Sequence, residues 1–536
     1  MVAAAPGVFH KYNRRAVFYS LVFVLGAILY GYDGTYFTGI LEMDAFKRDY
    51  GTLVNGEMVI KSGDQSLYAS IVQVGEVVGS LSAGLIGDKI GRKGAMYVAI
   101  FWVLIGAILQ IIVVGSRPLI VVGRLILGVG VGIVSNCTTL YLSEICPAAI
   151  RGTIVSSWQL FLAIGQVIGA GVSQGTKDYS STFSYRFPIA LNVAIVIIIF
   201  AGMFIVPESP RWLISKDRIE EAEHALDRVN KSNETADNAR EIRVMLDAKA
   251  AEAAESGGES RWGDLLKGAQ KKKLFGAFGI LVCQQINGVQ FVFSYSTVFF
   301  KQIGVGNPFT ITMVCNVVEV VGVLCSFFII NRFGRRPLLV WSALAMAVLM
   351  IVMGILGTIP NPTGSVNSAI ASMIIIFVWV FNLAWGGLAW TVANELASGR
   401  NRTKILAVST AAFWVSAWAV TFTLPYLAND DGGAGLNAKV GYIYGGGALI
   451  GAAFVYFYIP ETLGRSLEEI NLMIELKVPT LAWPEYKTTI DGVHNEQWKA
   501  EDKNIQQGQR FVENADAEKG MARRDSDDAF TAPTKF

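Results

Sequence analysis

The sequence predicts an all-α membrane protein of twelve transmembrane helices arranged as two six-helix bundles, and three observations carry that expectation. Hydrophobic residues make up 52% of the 536 residues and charged ones only 16%, where a soluble domain carries about 25% charged residues. Apolar runs long enough to cross a hydrocarbon layer, about 18 residues or more, recur twelve times. A short basic signature wedged between such runs occurs twice, as Gly87-Asp88-Lys89-Ile90-Gly91-Arg92-Lys93 and as Asn331-Arg332-Phe333-Gly334-Arg335-Arg336.

The runs fall at 16–38, 67–86, 95–114, 118–141, 153–173, 188–206, 274–300, 309–330, 338–358, 369–394, 405–427 and 440–459. They divide the chain into a terminal segment 1–15, a first bundle 16–210, a linker 211–273, a second bundle 274–465 and a tail 466–536. Many of the 55 glycines sit inside the runs, where small residues let neighbouring helices approach closely. The linker holds Lys216-Asp217-Arg218-Ile219-Glu220-Glu221-Ala222-Glu223 and reads as short polar helices, followed by a Glu255-Ser256-Gly257-Gly258 joint. The tail turns polar near Lys477, ends in Arg523-Arg524-Asp525-Ser526-Asp527-Asp528, and reads as disordered.

Lys and Arg concentrate in 87–93, 211–273, 331–336 and 398–404, which are alternate loops under a twelve-span count. The opposite loops, such as 359–368 and 428–439, carry almost none. Positive charge marks the cytoplasmic side, so both termini are expected there, in the plasma membrane. The sequon Asn233-Glu234-Thr235 would then be cytosolic and unglycosylated. The first run is full length with no small-residue cleavage site, so no cleavable leader is expected. Cys137, Cys146, Cys283, Cys315 and Cys325 lie in or beside spans, without disulfide or metal-ligand spacing.

Two further pairs repeat between the halves. Glu144 and Arg151 stand seven apart, as do Glu395 and Arg402; Pro207-Glu208-Ser209-Pro210-Arg211 closes one half and Pro460-Glu461-Thr462-Leu463-Gly464-Arg465 the other. Duplicated membrane halves typically frame a pathway between them. Taken in order with Gly31-Tyr32-Asp33, Gly123-Arg124, Tyr141-Leu142-Ser143-Glu144, Arg211-Trp212-Leu213 and Gln284-Gln285, these motifs span residues 31 to 465. The chain resembles the sugar porter family of the major facilitator superfamily, and its style is similar to fungal monosaccharide transporters.

Ionisable groups inside a membrane are costly and usually functional. Asp33 lies in the later part of the first span and Arg124 near the start of the fourth. Facing each other they would be mutually stabilised, and protonating Asp33 would release Arg124. Two readings stay open: a structural ion pair, or the proton-operated switch that the resemblance implies at these positions. His10, His224 and His494 all lie outside the spans and are excluded as proton carriers. The acids and bases at the span ends, Asp88, Arg92, Glu144, Arg151, Glu208, Arg332, Arg336, Glu395, Arg402 and Glu461, read as topogenic charge. The resemblance instead implies an ion-pair network that sets a conformational equilibrium.

Sugar hydroxyls need donors and acceptors, and a sugar ring needs a flat apolar face, which favours Gln, Asn and Trp over ions. Gln159 and Gln166, seven apart, share a helix face. By motif register these two, with Gln284, Gln285, Gln290, Asn382, Trp390 and Trp414, look like the family's sugar-contacting positions. Departures are evident. Gln290 stands where an Asn is usual, Ser294-Tyr295 replace paired tyrosines, and Trp385-Gly386-Gly387 lacks the usual prolines. Phe413 precedes Trp414 in place of an Asn, Glu76 is an unusual acid in the second span, and Glu319 occupies a position that commonly holds a sugar-binding Asn. Three readings stay open for each acid: a second proton site, a neutral hydrogen-bond donor, or half of an ion pair. The implied activity is alternating-access transport of a monosaccharide with a proton, by a monomer in the lipid bilayer. Runners-up are a facilitator, a polyol or sugar-acid carrier, and a non-transporting sensor. No nucleophile–base constellation appears, and neither an enzyme, a cofactor nor a nucleic-acid partner is expected.

Overall fold

The computed structural model describes residues 14–486 except 55, 147, 230–237, 239–241, 244, 247–261, 399–400, 430–432, 464 and 466; the side chains of 54, 148–153, 156, 331, 403 and 467–468 also lie outside the description. Among the described residues, ten helices are long and apolar enough to cross a membrane. One of them, Ser62–Ile112, breaks at Gly91, whose φ of 87° no helix allows, and so supplies two spans. Ala148–Thr176 completes twelve.

In chain order the spans are α1 Arg14–Ile40, α2 62–90, α3 92–112, α4 Arg117–Ile145, α5 Ala148–Thr176 and α6 Phe183–Met203. The second half holds α7 Gly268–Gln302, α8 Pro308–Phe333, α9 Arg335–Leu356, α10 Gly364–Leu396, α11 Arg402–Ala428 and α12 Val440–Tyr458. Contacts with α4 show that the chain reverses at Gly91. Val72 and Glu76 lie against Gly128 and Gly132, ascending together, whereas Val103 and Gly106 meet Gly130 and Gly123 in the opposite order.

Helices within a half touch backbone to backbone. No room remains for a side chain at Gly31 against the Leu162 carbonyl, at Gly165 against Ile28, or at Gly447 against Ile286. Two spans are broken in mid-course. α7 bends at Asn287-Gly288, where Gly288 has φ 92° and the Tyr444 ring fills the space of a side chain. α10 breaks at Ala384, φ −133° and ψ −68°. Non-helical backbone at this depth persists where protein or a cavity supplies partners.

Between the halves the chain forms short helices at Pro210–Ser215 and Ile219–Val229 and a 3-10 turn at Trp262–Leu266. The sequon, the Glu255–Gly258 joint and the tail beyond 486 lie outside the described residues. The structure departs from the sequence expectation in two places. The tail, expected to be disordered from near Lys477, forms a 3-10 helix Thr480–Glu485 that buries Trp483. A helix Asp44–Tyr50 and a hairpin, Thr52–Val54 paired with Glu57–Val59, follow α1. The Asn55-Gly56 dipeptide was its signal, because two-residue hairpin turns need positive φ and Gly56 has 88°.

Candidate functional site

A cavity between the halves is lined by α1, α2, α4 and α5 on one side and by α7 and α11 on the other. Asp33 and Arg124 are both on its wall and only 1% and 3% exposed. Arg124 Nη1 stands 3.6 Å from Asp33 Oδ1, and the guanidinium carbon lies 3.8 Å from the centre of the Phe37 ring. The contact is electrostatic but loose. Arg124 Nε and Nη1 and Asp33 Oδ1 have no hydrogen-bond partner, although burial makes such partners valuable.

The uncharged polar set divides into two groups. Gln166, Gln290 and Trp414 line the cavity; Gln290 Oε1 accepts from Ser294 at 3.1 Å, and Trp414 Nε1 is buried without a partner. Tyr30 meets Trp414 edge-on at 5.6 Å and stacks on Trp158 at 6.2 Å, giving the cavity an aromatic floor. The others stand behind or beside it. Gln284 donates its amide to the carbonyls of Trp385 and Gly386, at 2.7 and 3.3 Å, and so ties down the break in α10. Gln285 accepts from Gln290 at 3.0 Å. Asn382 accepts from Gln159 at 3.3 Å across the two halves, and Trp390 packs on Phe413 at 4.9 Å.

Glu319 is wholly buried on α8, off the cavity wall. Its carboxyl receives the Gln166 amide, oriented nitrogen to oxygen, in a second link between the halves. Glu76, by contrast, lines the cavity at 3% exposure. The sequence assigns Glu76 to the second span, and the structure brings it to the cavity.

At the basic end each half holds its own cluster. Arg92 binds Glu144 through Nε and Nη2, both at 2.9 Å, and reaches the Gly87 carbonyl and Asp88. Glu208 accepts from the Arg92 and Lys93 backbone N–H groups. Burial pushes the Glu208 carboxyl above its ordinary range, opposed by these N–H bonds. In the second half Glu461 takes the backbone N–H groups of Arg335 and Arg336, both at 3.0 Å. Here the expected register shifts. Arg332 is exposed, and Arg335 is the residue 3.6 Å from Glu395. Aligning Gly91-Arg92 with Gly334-Arg335 would have found it. Arg336 instead caps the Tyr456 carbonyl at 2.7 Å and lies over that ring. Arg402 opens α11, and the Arg151 side chain lies outside the described residues.

The opposite end is joined across the halves. Glu42 pairs with Lys47 at 2.6 Å and with Lys301 of the second half at 3.0 Å. Asn429 donates to Ser62 and Gln65 at 3.1 and 2.9 Å and accepts from Gln302 and Tyr295. Gln73 donates to Thr421 at 3.0 Å.

Comparison with known proteins gives this geometry a family. The profile described as sugar (and other) transporter matches residues 19–474. The major facilitator-type transporter ecdD of Aspergillus rugulosus is 34% identical over 472 residues, covering 85% of this chain and 86% of that protein. The probable glucose transporter rco-3 of Neurospora crassa is 30% identical over 475 residues, 86% of this chain and 80% of the relative. The low-affinity glucose transporter HXT3 of Saccharomyces cerevisiae is 30% identical over 459 residues, 84% and 80% of the two chains. Among solved structures, the proton:xylose symporter XylE bound to 6-bromo-6-deoxy-D-glucose superposes with a TM-score of 0.71 at 23% identity. It covers 87% of this chain and 100% of that one, a likeness of fold. The chain is thus a multi-pass membrane transporter rather than an enzyme, and it belongs to the sugar porter family of the major facilitator superfamily.

Proposed function

We propose that the protein carries a monosaccharide across the plasma membrane by alternating access, coupled to protons, as a monomer with both termini in the cytoplasm. The observation that carries coupling is the loose Asp33–Arg124 pair on the cavity wall. A tight, fully bonded pair would be structural; this one leaves an acid oxygen and two guanidinium nitrogens unpartnered. Proton uptake by Asp33 weakens its hold on Arg124, and the released guanidinium changes which cavity shape is favoured. With the basic turns on the cytoplasmic side, the bonds among Glu42, Lys301, Asn429 and Gln65 close the outer entrance. The Arg92 and Arg335 clusters then stand at the inner ends of the helices, where they bias the rocking of the two halves.

For the cargo, the Gln166 and Gln290 amides stand beside the aromatic face of Trp414, whose Nε1 is an unpartnered donor, the chemistry a neutral sugar requires. Gln159, Gln284, Gln285, Asn382, Trp390 and Glu319 support that wall from behind. The glucose transporters among the relatives favour a hexose.

Asp33→Asn tests the reading. In transporter-deficient cells it should abolish accumulation of labelled D-glucose against a gradient while equilibrative exchange persists. Accumulation that survives the change removes the role from Asp33. A competition panel of sugars, polyols and sugar acids assigns the cargo.

A further inference from the structure

Asp33 shares its cavity wall with a second acid. Glu76, on α2, lines the same cavity, is 3% exposed, and has an Oε2 with no hydrogen-bond partner. The groups facing it come from three helices. α1 brings Asp33 and Tyr30, α4 brings Arg124, and α11 brings Trp414. The α11 stretch 405–428 contains no acid or base. Among the described residues that line the cavity, Arg124 is therefore one cation for two carboxyls.

One guanidinium compensates one carboxylate. A second carboxylate buried on the same wall has no counter-charge of its own, which favours its holding a proton. Glu319 does not relieve this, since it adds another acid and is engaged by Gln166 behind the wall. We infer that Glu76 is a second proton-carrying site, so that each transport cycle moves two protons with one sugar. Glu76 takes a proton from water while the cavity faces one side, crosses with the sugar as the neutral acid, and returns the proton to water on the other side; on the empty return its carboxylate and that of Asp33 share Arg124. No covalent bond to the cargo changes. The inference rests on the proton-coupled reading above.

Purified full-length protein in liposomes, with the membrane voltage clamped at zero, provides the test. The labelled D-glucose gradient at which net flux reverses is measured against an imposed pH difference. Two protons per sugar balance a hundredfold sugar gradient for each pH unit, and one proton a tenfold gradient, because each proton contributes about tenfold. The expected result is two for the wild type, one for Glu76→Gln, and two again for Glu76→Asp. A wild-type value of one overturns the inference and leaves single-proton coupling standing, whether or not Glu76→Gln folds. A wild type whose reversal gradient ignores pH overturns both the inference and the coupled reading beneath it.

Discussion

The two basic turns share one backbone design and differ in how their arginines are held. Gly91 has φ 87° and ψ 171°, Gly334 has φ 84° and ψ 168°, and each is followed by two N–H groups that donate to a glutamate from the end of its half, Glu208 or Glu461. Beyond the backbone the copies part. Arg92 grips Glu144 with two 2.9 Å bonds. Arg335 stands 3.6 Å from Glu395, with Nε and Nη1 and the acid's Oε2 all unpartnered. The repeated turn is thus a requirement of reversing the chain between two spans, whereas the arginine–acid pair is adjustable. The duplicated parts build, and the divergent parts set which half is free to exchange partners.

The largest expected effect comes from Arg92→Ala. It strands Glu144, whose side chain is 9% exposed, and breaking a buried pair costs about 3–5 kcal/mol. Thermal unfolding of the purified protein and its surface abundance should both fall sharply. Next come Gly91→Ala and Gly334→Ala. Each forces a methyl group into positive φ against a glutamate carboxylate, a conformation costing about 1–3 kcal/mol before any clash. Because the turns match, the two losses should agree; a large inequality in melting temperature breaks the claim of a shared design. Glu208→Gln and Glu461→Gln should follow with equal and smaller losses, since a neutral acceptor replaces a charged one and bonds to charged groups contribute about 1.5–3 kcal/mol. The smallest effect on stability is expected for Arg335→Ala, because its pairing is already slack. If Arg335→Ala lowers melting as much as Arg92→Ala, the contrast between the halves fails.

The fold was legible because membrane spans announce themselves by length and apolarity, and a repeat announces itself by order. The hairpin after α1 is legible too, through Asn55-Gly56. The site was only partly legible. Motif register placed Asp33, Arg124, Gln166, Gln290 and Trp414 on helices that the fold brings to one cavity. Register could not show that the Gln284 amide is spent on the broken backbone of α10, because helix breaks arise from packing that one sequence window does not contain. Nor could it show that Glu319 sits behind Gln166 rather than on the wall. In the second turn Gly334, which ends the helix, anchors the register, so Arg335 rather than Arg332 takes the place of Arg92.

The glycine joints separate what can slide from what cannot. Where Gly31 meets Leu162, Gly165 meets Ile28 or Gly447 meets Ile286, backbone rests on backbone within one half, and a shift of either helix drives a carbonyl into its neighbour. Across the seam the described links are side chain to side chain: Gln159 to Asn382, Gln73 to Thr421, Asn429 to Gln65. Such links come apart by rotamer changes, which are fast compared with collective domain motions. Stiffness is therefore gathered into two blocks and compliance into the surface between them. Single substitutions along that surface should retune the frequency of turnover while each block keeps the packing on which its own folding depends.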